Sequence, residues 1–193
     1  MSRFIESICM KNGAYQLLDL HQERVNRTFL KFFPEHTPFQ LTDVLPDIYG
    51  NTTSKVKVTY HWEISSVESS GYSIRKIDTL RIIELNDFDY SYKYANRTRL
   101  DTLNTRDYED VIIVVNGFVT DASYANLIFL RDGAWYTPET YLLYGVKRQY
   151  LLRSGAIKEI DIQRKDIHHF EKVGLINALL DPGEIMLPVS AIH

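Results

Sequence analysis

The sequence predicts an α+β fold arranged as two α/β lobes, with a C-terminal lobe that is mostly antiparallel β. Three observations predict it. A stripe of Leu18, His21, Val25, Phe29 and Phe32 at helical spacing follows directly on a short apolar strand at residues 5–10. The run Val111-Ile112-Ile113-Val114-Val115 is continuously apolar, the pattern of a strand covered on both faces. Asn116-Gly117 and Asp132-Gly133 are two-residue hairpin signals, so the strands beside them run antiparallel.

The elements follow in order. Asn12-Gly13 closes the first strand as a turn. Asp19 reads as the N-cap of the first helix, with Gln22 three residues on as its capping-box partner, and Pro34 ends that helix. Pro38, Pro46 and Gly50 punctuate a mixed stretch that has room for a short helix over 41–49. Strands are expected at 55–62, where Val56 and Val58 alternate with Lys55, Lys57 and Thr59, and at 72–85. Asn86-Asp87-Phe88-Asp89 is a turn-rich joint, placing a small lobe at 1–88 and a larger one at 89–193. The second lobe opens with a strand at 90–95 and a helical segment at 97–104. After the hairpins comes a helix over 145–153, stopped by Gly155 in the left-handed conformation. Strands at 157–162 and 174–179, with a short helix at 166–171 between them, complete it.

Composition narrows the function classes. The 193 residues are 45% apolar and 24% charged with a formal net charge of -3, ordinary for a globular domain. A near-neutral balance argues against a nucleic-acid binder. No apolar run approaches the ~18 to 20 residues of a membrane span. Patterned sequence begins at once, so no signal peptide is expected. The single Cys9 excludes a disulfide framework and a cysteine metal site and suits a cytoplasmic location. His168-His169 lacks acidic or cysteine partners at metal spacing and reads as a solvated helix face, so no metal is expected. His21, on the apolar stripe, reads as a packed core histidine. No nucleophile elbow surrounds Ser70 or Ser73.

The segment Tyr90-Ser91-Tyr92-Lys93-Tyr94-Ala95-Asn96-Arg97 holds the clearest chemical pattern. On a strand, the three tyrosines share one face and Lys93 takes the other, flanked by small Ser91 and Ala95. Space and a desolvated amine are what a Schiff-base lysine requires. The residues alone leave a solvated surface lysine as the alternative, the commoner state of lysine.

Several motifs in one order go further. Tyr92-Lys93-Tyr94-Ala95-Asn96-Arg97 resembles the lysine-centred motif of the class IV aminotransferases, the fold-type-IV pyridoxal-phosphate enzymes, in the Lys-x-x-Asn-Arg form of aminodeoxychorismate lyases. Residues 117–129 are similar to the Gly-x-Val-Thr-Glu-…-Asn-Ile-Phe segment of that family. Thr137-Pro138, Leu143-Tyr144-Gly145-Val146-Lys147-Arg148 and Asn177-Ala178-Leu179 resemble three later elements, and His21-Gln22-Glu23-Arg24 its His-x-x-Arg helix. The resemblance runs from about residue 4 to 189.

It implies roles residue by residue. Lys93 is implied as the Schiff-base lysine and then the proton carrier. Asp121 stands where the family has a glutamate against the ring nitrogen, a departure that shortens the reach by one methylene. Arg24, the amides of Val146 and Lys147, and the Asn177-Ala178 turn are implied phosphate donors, and Asn126 is implied to orient Asp121 or the cofactor face. Read without the family, Asp121 closes a turn, Arg24 makes a surface salt bridge, Val146 and Lys147 start an ordinary helix, Asn126 is a bulge residue and Asn177 ends a strand.

Family members usually begin with further strands, so the resemblance implies a shortened N-terminal lobe. The strand at 56–61 carries no arginine where relatives often hold a substrate carboxylate, leaving Tyr60, Arg75 and Arg97 as weak replacements. The implied function is a pyridoxal 5'-phosphate enzyme acting on an amino-bearing acid as a homodimer, most like aminodeoxychorismate lyase, with pyruvate eliminated. The alternatives are a D-amino-acid or branched-chain aminotransferase and a non-catalytic relative. Among the 13 tyrosines, Tyr90, Tyr92 and Tyr94 are expected to pack rather than stack on a cofactor.

Overall fold

The computed structural model describes residues 2–47, 52–103 and 106–193. The chain divides into two compact units. The first is Met1–Ser73 with Tyr92–Asn96, and the second is Ile74–Ser91 with Arg97–His193. The sequence reading sets the break at 88/89 and puts Lys93 in the larger lobe. The structure sets it at 73/74 and gives the lysine segment to the first unit, because residues 93 and 95 bond to the first strand.

Unit one is a sheet of order β2-β1-β3-β4, from β1 (Phe4–Lys11), β2 (Ala14–Tyr15), β3 (Ser54–Tyr60) and β4 (Ile64–Gly71), all antiparallel. Helix α1 (Leu18–Phe32) packs on it through Val25 and Phe29, which join Phe4, Ile8, Val58 and Tyr60 in one core. The cap differs from the sequence expectation. Leu17 is the N-cap, with a left-handed φ of 53°, so Asp19 falls inside the first turn, where its charge still complements the helix dipole. Gln22 is drawn away from a capping box: its amide donates to Asn26 and the Phe39 carbonyl, and its oxygen accepts the Leu41 N–H. The short helix α2 spans Leu41–Val44, and the rest of the expected 41–49 helix lies partly outside the described residues.

Strand β4 is absent from the sequence reading, which goes from a strand at 55–62 directly to one at 72–85. Its serine-rich residues carry little strand propensity, but as an edge strand it needs only β3's backbone on one side and stays largely exposed. Residues 90–95 are not a regular strand either. The chain bends at 91 and 92 and touches β1 through one isolated bridge, Phe4 to Tyr94, so strict face alternation does not run through it. Tyr92 and Tyr94 still pack against Phe32 and Phe4, at 4.8 and 5.2 Å between ring centroids.

Unit two holds two sheets. In the smaller, β5 (Thr79–Glu84) is parallel to β6 (Glu109–Val115), and β6 is antiparallel to β7 (Phe118–Val119) across the Asn116-Gly117 turn. Helix α3 is one turn, Thr98–Asp101, shorter than the 97–104 expected; residue 104 lies outside the described residues. The larger sheet has order β10-β9-β8-β11-β12, from β8 (Asn126–Arg131), β9 (Ala134–Pro138), β10 (Lys158–Ile160), β11 (Lys172–Ile176) and β12 (Met186–Pro188). Only β9 and β10 pair in parallel there. Side-chain alternation splits its core: Leu127, Phe129 and Leu175 face one cluster, while Ile128 and Ile176 meet Leu151 of helix α4 (Val146–Arg153) on the other. Among the described residues no helix is long and apolar enough to cross a membrane.

Candidate functional site

In unit one, β1 and α1 bring three ionisable groups together in the interior. Glu6 sits mid-strand, and His21 and Arg24 lie three residues apart on α1, on one helix face. Arg24 donates from Nε to Glu6 Oε1 at 2.8 Å and from Nη2 to Oε2 at 2.6 Å. His21 Nδ1 meets the same Oε2 at 2.5 Å. Burial pushes the Glu6 pKa up, but the Arg24 charge and hydrogen bonds, with His21, outweigh it and bring it down to about 2. Arg24 therefore belongs to a buried ion pair and not to a surface salt bridge. Glu6, which the sequence reading gives no role, is the centre of the group. Its signal was there to read: a lone carboxylate in the apolar strand Phe4-Ile5-Glu6-Ser7-Ile8.

Lys93 is half-buried, and its backbone is held by β1: the Ile5 N–H donates to the Lys93 carbonyl at 2.9 Å, and the Ala95 N–H to the Arg3 carbonyl at 2.8 Å. Tyr60 is almost fully buried within the aromatic core, with Thr28 bonded to its hydroxyl and burial holding its pKa well above the ordinary range.

In unit two, Asp121 is the central group. It follows β7 and opens the tight turn into β8, where the Ala122 N–H bonds the Ala125 carbonyl at 2.8 Å. Asp121 is 4% exposed. Oδ1 accepts from Asn126 Nδ2 at 2.8 Å, and Oδ2 from the backbone N–H groups of Leu142 and Leu143 at 3.1 and 2.8 Å. Burial raises its pKa to about 6, against the pull of those donors and of the Arg148 charge. Asn126 also donates to the Leu143 carbonyl at 3.0 Å, so it ties the carboxylate to the loop before α4.

Gly145 is the N-cap of α4, and no side chain caps that helix. Its first-turn N–H groups, including those of Val146 and Lys147, therefore have the geometry of an anion site. The Lys147 side chain pairs with Asp181. Arg148 is buried, bonding the Pro138 carbonyl at 2.8 Å and Glu159 at 2.6 Å. Asn177 braces its own turn: Oδ1 accepts the Leu179 N–H at 2.8 Å, and its amide reaches the Tyr124 carbonyl at 3.3 Å, with Ala178 between.

A Cβ on Gly145 would stand 1.8 Å from Asn126 Oδ1. Gly145→Ala must therefore expel the Asn126 amide from its bond to Asp121. The expected cost is about 1–3 kcal/mol in urea unfolding. In an Asn126→Ala background the same change should cost under about 0.5 kcal/mol, the ordinary additivity error.

The substrate candidates divide differently. Arg97 donates to the Ser123 carbonyl at 2.9 Å and to Tyr90 at 3.2 Å and pairs with Asp101; Arg75 donates to the Glu109 carbonyl at 2.9 Å. Both are engaged in bracing unit two, and Tyr60 belongs to the core of unit one. Among the described residues no cluster of three His, Cys, Asp or Glu is placed to hold a metal.

Pyridoxal phosphate can be tested against this donor set. A pyridine N–H needs a buried acceptor with a vacant lone pair. Asp121 uses three of its roughly four acceptor positions, which leaves one for a ring N–H. A phosphate needs fixed donors, and the uncapped start of α4 supplies them. The residues fit the group.

The comparisons agree with that chemistry. A sequence profile described as "Amino-transferase class IV" matches residues 3–192. An uncharacterised protein of Haemophilus influenzae is 32% identical over 185 residues, covering 93% of this chain and 98% of its own. A crystal structure from Haemophilus somnus 129PT, named a candidate 4-amino-4-deoxychorismate lyase, superposes with a TM-score of 0.86 at 28% identity, covering 93% of this chain and 97% of that one. A Schizosaccharomyces pombe protein named a candidate aminodeoxychorismate lyase is 35% identical over 98 residues, 45% of this chain and 42% of that protein.

Proposed function

The chain belongs to the class IV amino-transferase family, and from that premise we propose that it is a pyridoxal 5'-phosphate-dependent enzyme of the aminodeoxychorismate-lyase kind, acting on an amino-bearing acid and releasing pyruvate. The observation that carries the reading is Asp121, a buried carboxylate lifted to a pKa of about 6 with acceptor capacity to spare. When bound, the cofactor supplies an electron sink for a carbanion beside the substrate nitrogen. Asp121 accepts the ring N–H, and Asn126 holds Asp121 in place. The first-turn amides of α4 at Val146 and Lys147 and the Asn177-Ala178 turn are the proposed phosphate donors of the second unit, and Arg24 is that of the first. Lys93 Nζ would anchor the cofactor, take the substrate α-proton and return a proton as pyruvate leaves. The names carried by the Haemophilus somnus and Schizosaccharomyces pombe relatives support the lyase over an aminotransferase. A homodimer and a cytoplasmic location belong to the same proposal.

Absorbance and borohydride reduction test it. The protein with pyridoxal phosphate should absorb in the near-violet, and reduction should fix the cofactor on Lys93. A protein that stays colourless with added cofactor would be a non-catalytic relative. Turnover that needs no 2-oxo acid supports the lyase, and turnover that requires one makes the enzyme an aminotransferase of D-amino or branched-chain amino acids.

A further inference from the structure

The Glu6 cluster has chemistry that the proposed function leaves unused. Glu6 and His21 are each 0% exposed. A carboxylate that accepts both Nε and Nη2 of one arginine fixes the plane of that guanidinium, because the side-on pair has a single geometry. An ionised carboxylate only accepts, so the contact at Oε2 puts the His21 proton on Nδ1. Nε2 then carries a lone pair, and it is buried with no partner among the described residues. Burial lowers the His21 pKa, Glu6 opposes that, and the charges of Arg24 and Lys93 lower it further, which keeps the ring neutral. Tyr60 also lies within the field of Glu6 and Arg24.

The same strand sets Lys93. Residues 3–5 hold the backbone of 93–95 through the Ile5 and Ala95 hydrogen bonds and the Phe4–Tyr94 bridge, and Glu6 is the next residue along. One strand thus registers the arginine fork, the histidine tautomer and the lysine backbone. Filling the space does not require this: apolar replacements of buried ion clusters are often as stable.

We propose that Glu6 is a positioning residue, which orients Arg24 toward an oxyanion and fixes His21 as a neutral acceptor in the register that β1 imposes on Lys93. The proposal rests on the phosphate role given to Arg24 above.

The test compares pyridoxal 5'-phosphate with pyridoxal, which lacks the phosphate, in absorbance titrations of the parent and Glu6→Gln. The glutamine keeps the shape, removes the charge and turns one acceptor into a donor facing Arg24 or His21. Affinity for pyridoxal phosphate should fall about tenfold or more, as expected for a lost charge-assisted contact. Affinity for pyridoxal should stay within about twofold, and Glu6→Gln should add little in an Arg24→Lys background. Equal losses for the two ligands, or no loss, overturn the positioning role and leave the proposed function standing. A parent that binds neither ligand overturns both. If Glu6→Gln does not fold, Glu6→Asp keeps the charge with a shorter reach and is judged by the same outcomes: a selective loss supports the role, and an equal loss or none overturns it.

Discussion

Lys93→Ala lowers kcat by at least about 10²–10⁴-fold, the range over which a positioned proton carrier accelerates a reaction. The expected effect is this large because the variant removes both the anchor and the base. The fold should survive. The bonds that seat residues 93 and 95 on β1 run through the backbone, and alanine makes them as well as lysine does. Far-UV circular dichroism should match the parent, and a small primary amine added to the assay should restore part of the lost rate. Borohydride should leave the variant unlabelled. A variant that keeps kcat within about tenfold removes Lys93 from the mechanism, since the loss would fall below the range for a positioned proton carrier.

Asp121→Asn separates activity from stability. Asparagine presents no negative charge to a ring N–H, and loss of one preorganised electrostatic partner costs about 10²–10³ in kcat. Stability moves the other way with pH. The folded pKa of Asp121, about 6, lies above its unfolded value, so the folded state binds the proton more tightly. The stability from this group is complete below pH about 4 and is lost as pH rises through about 6, roughly 3 kcal/mol in all. In the cofactor-free protein, urea unfolding should show the parent losing stability across that window. The Asn variant should lack this slope. A slope shared by both proteins assigns it to another group.

Much of unit two was legible because its signals are local. Asn116-Gly117 and Asp132-Gly133 take the positive φ values that a two-residue hairpin demands, and the turns form where they stand. The apolar run at 111–115 forms the middle strand of its sheet, and Val111 to Val114 are buried, with Ile112 and Val114 in the core cluster of unit two. Other elements depend on partners distant in sequence. Nothing in Ile64-Ser65-Ser66-Val67-Glu68 announces a strand until β3 lies beside it. Leu17 gives no sign of a left-handed φ, which normally favours glycine or asparagine. The candidate site divides the same way. Lys93, Asp121 and Arg24 stand out in motifs. The Leu142 and Leu143 amides and the Gly145–Asn126 approach are backbone facts, invisible in side-chain chemistry. Glu6 was visible as an anomaly, but its partners lie 15 and 18 residues away, on another element.

The passage of residues 92–96 back to the first unit has a consequence for how the chain is made. A nascent chain completes β1 to β4 before it has the segment that lies along residues 3–5. At about 5–20 residues per second, residue 96 follows residue 73 by about one to five seconds. Until then one edge of β1 at Phe4 and Ile5 is an open row of backbone groups, the kind of edge that recruits foreign strands. Tyr92 and Tyr94 arrive with the lysine and lay their rings on Phe32 and Phe4 as they close it. The segment that carries Lys93 is thus also the one that covers this edge of β1, and a truncation before residue 92 would lose both.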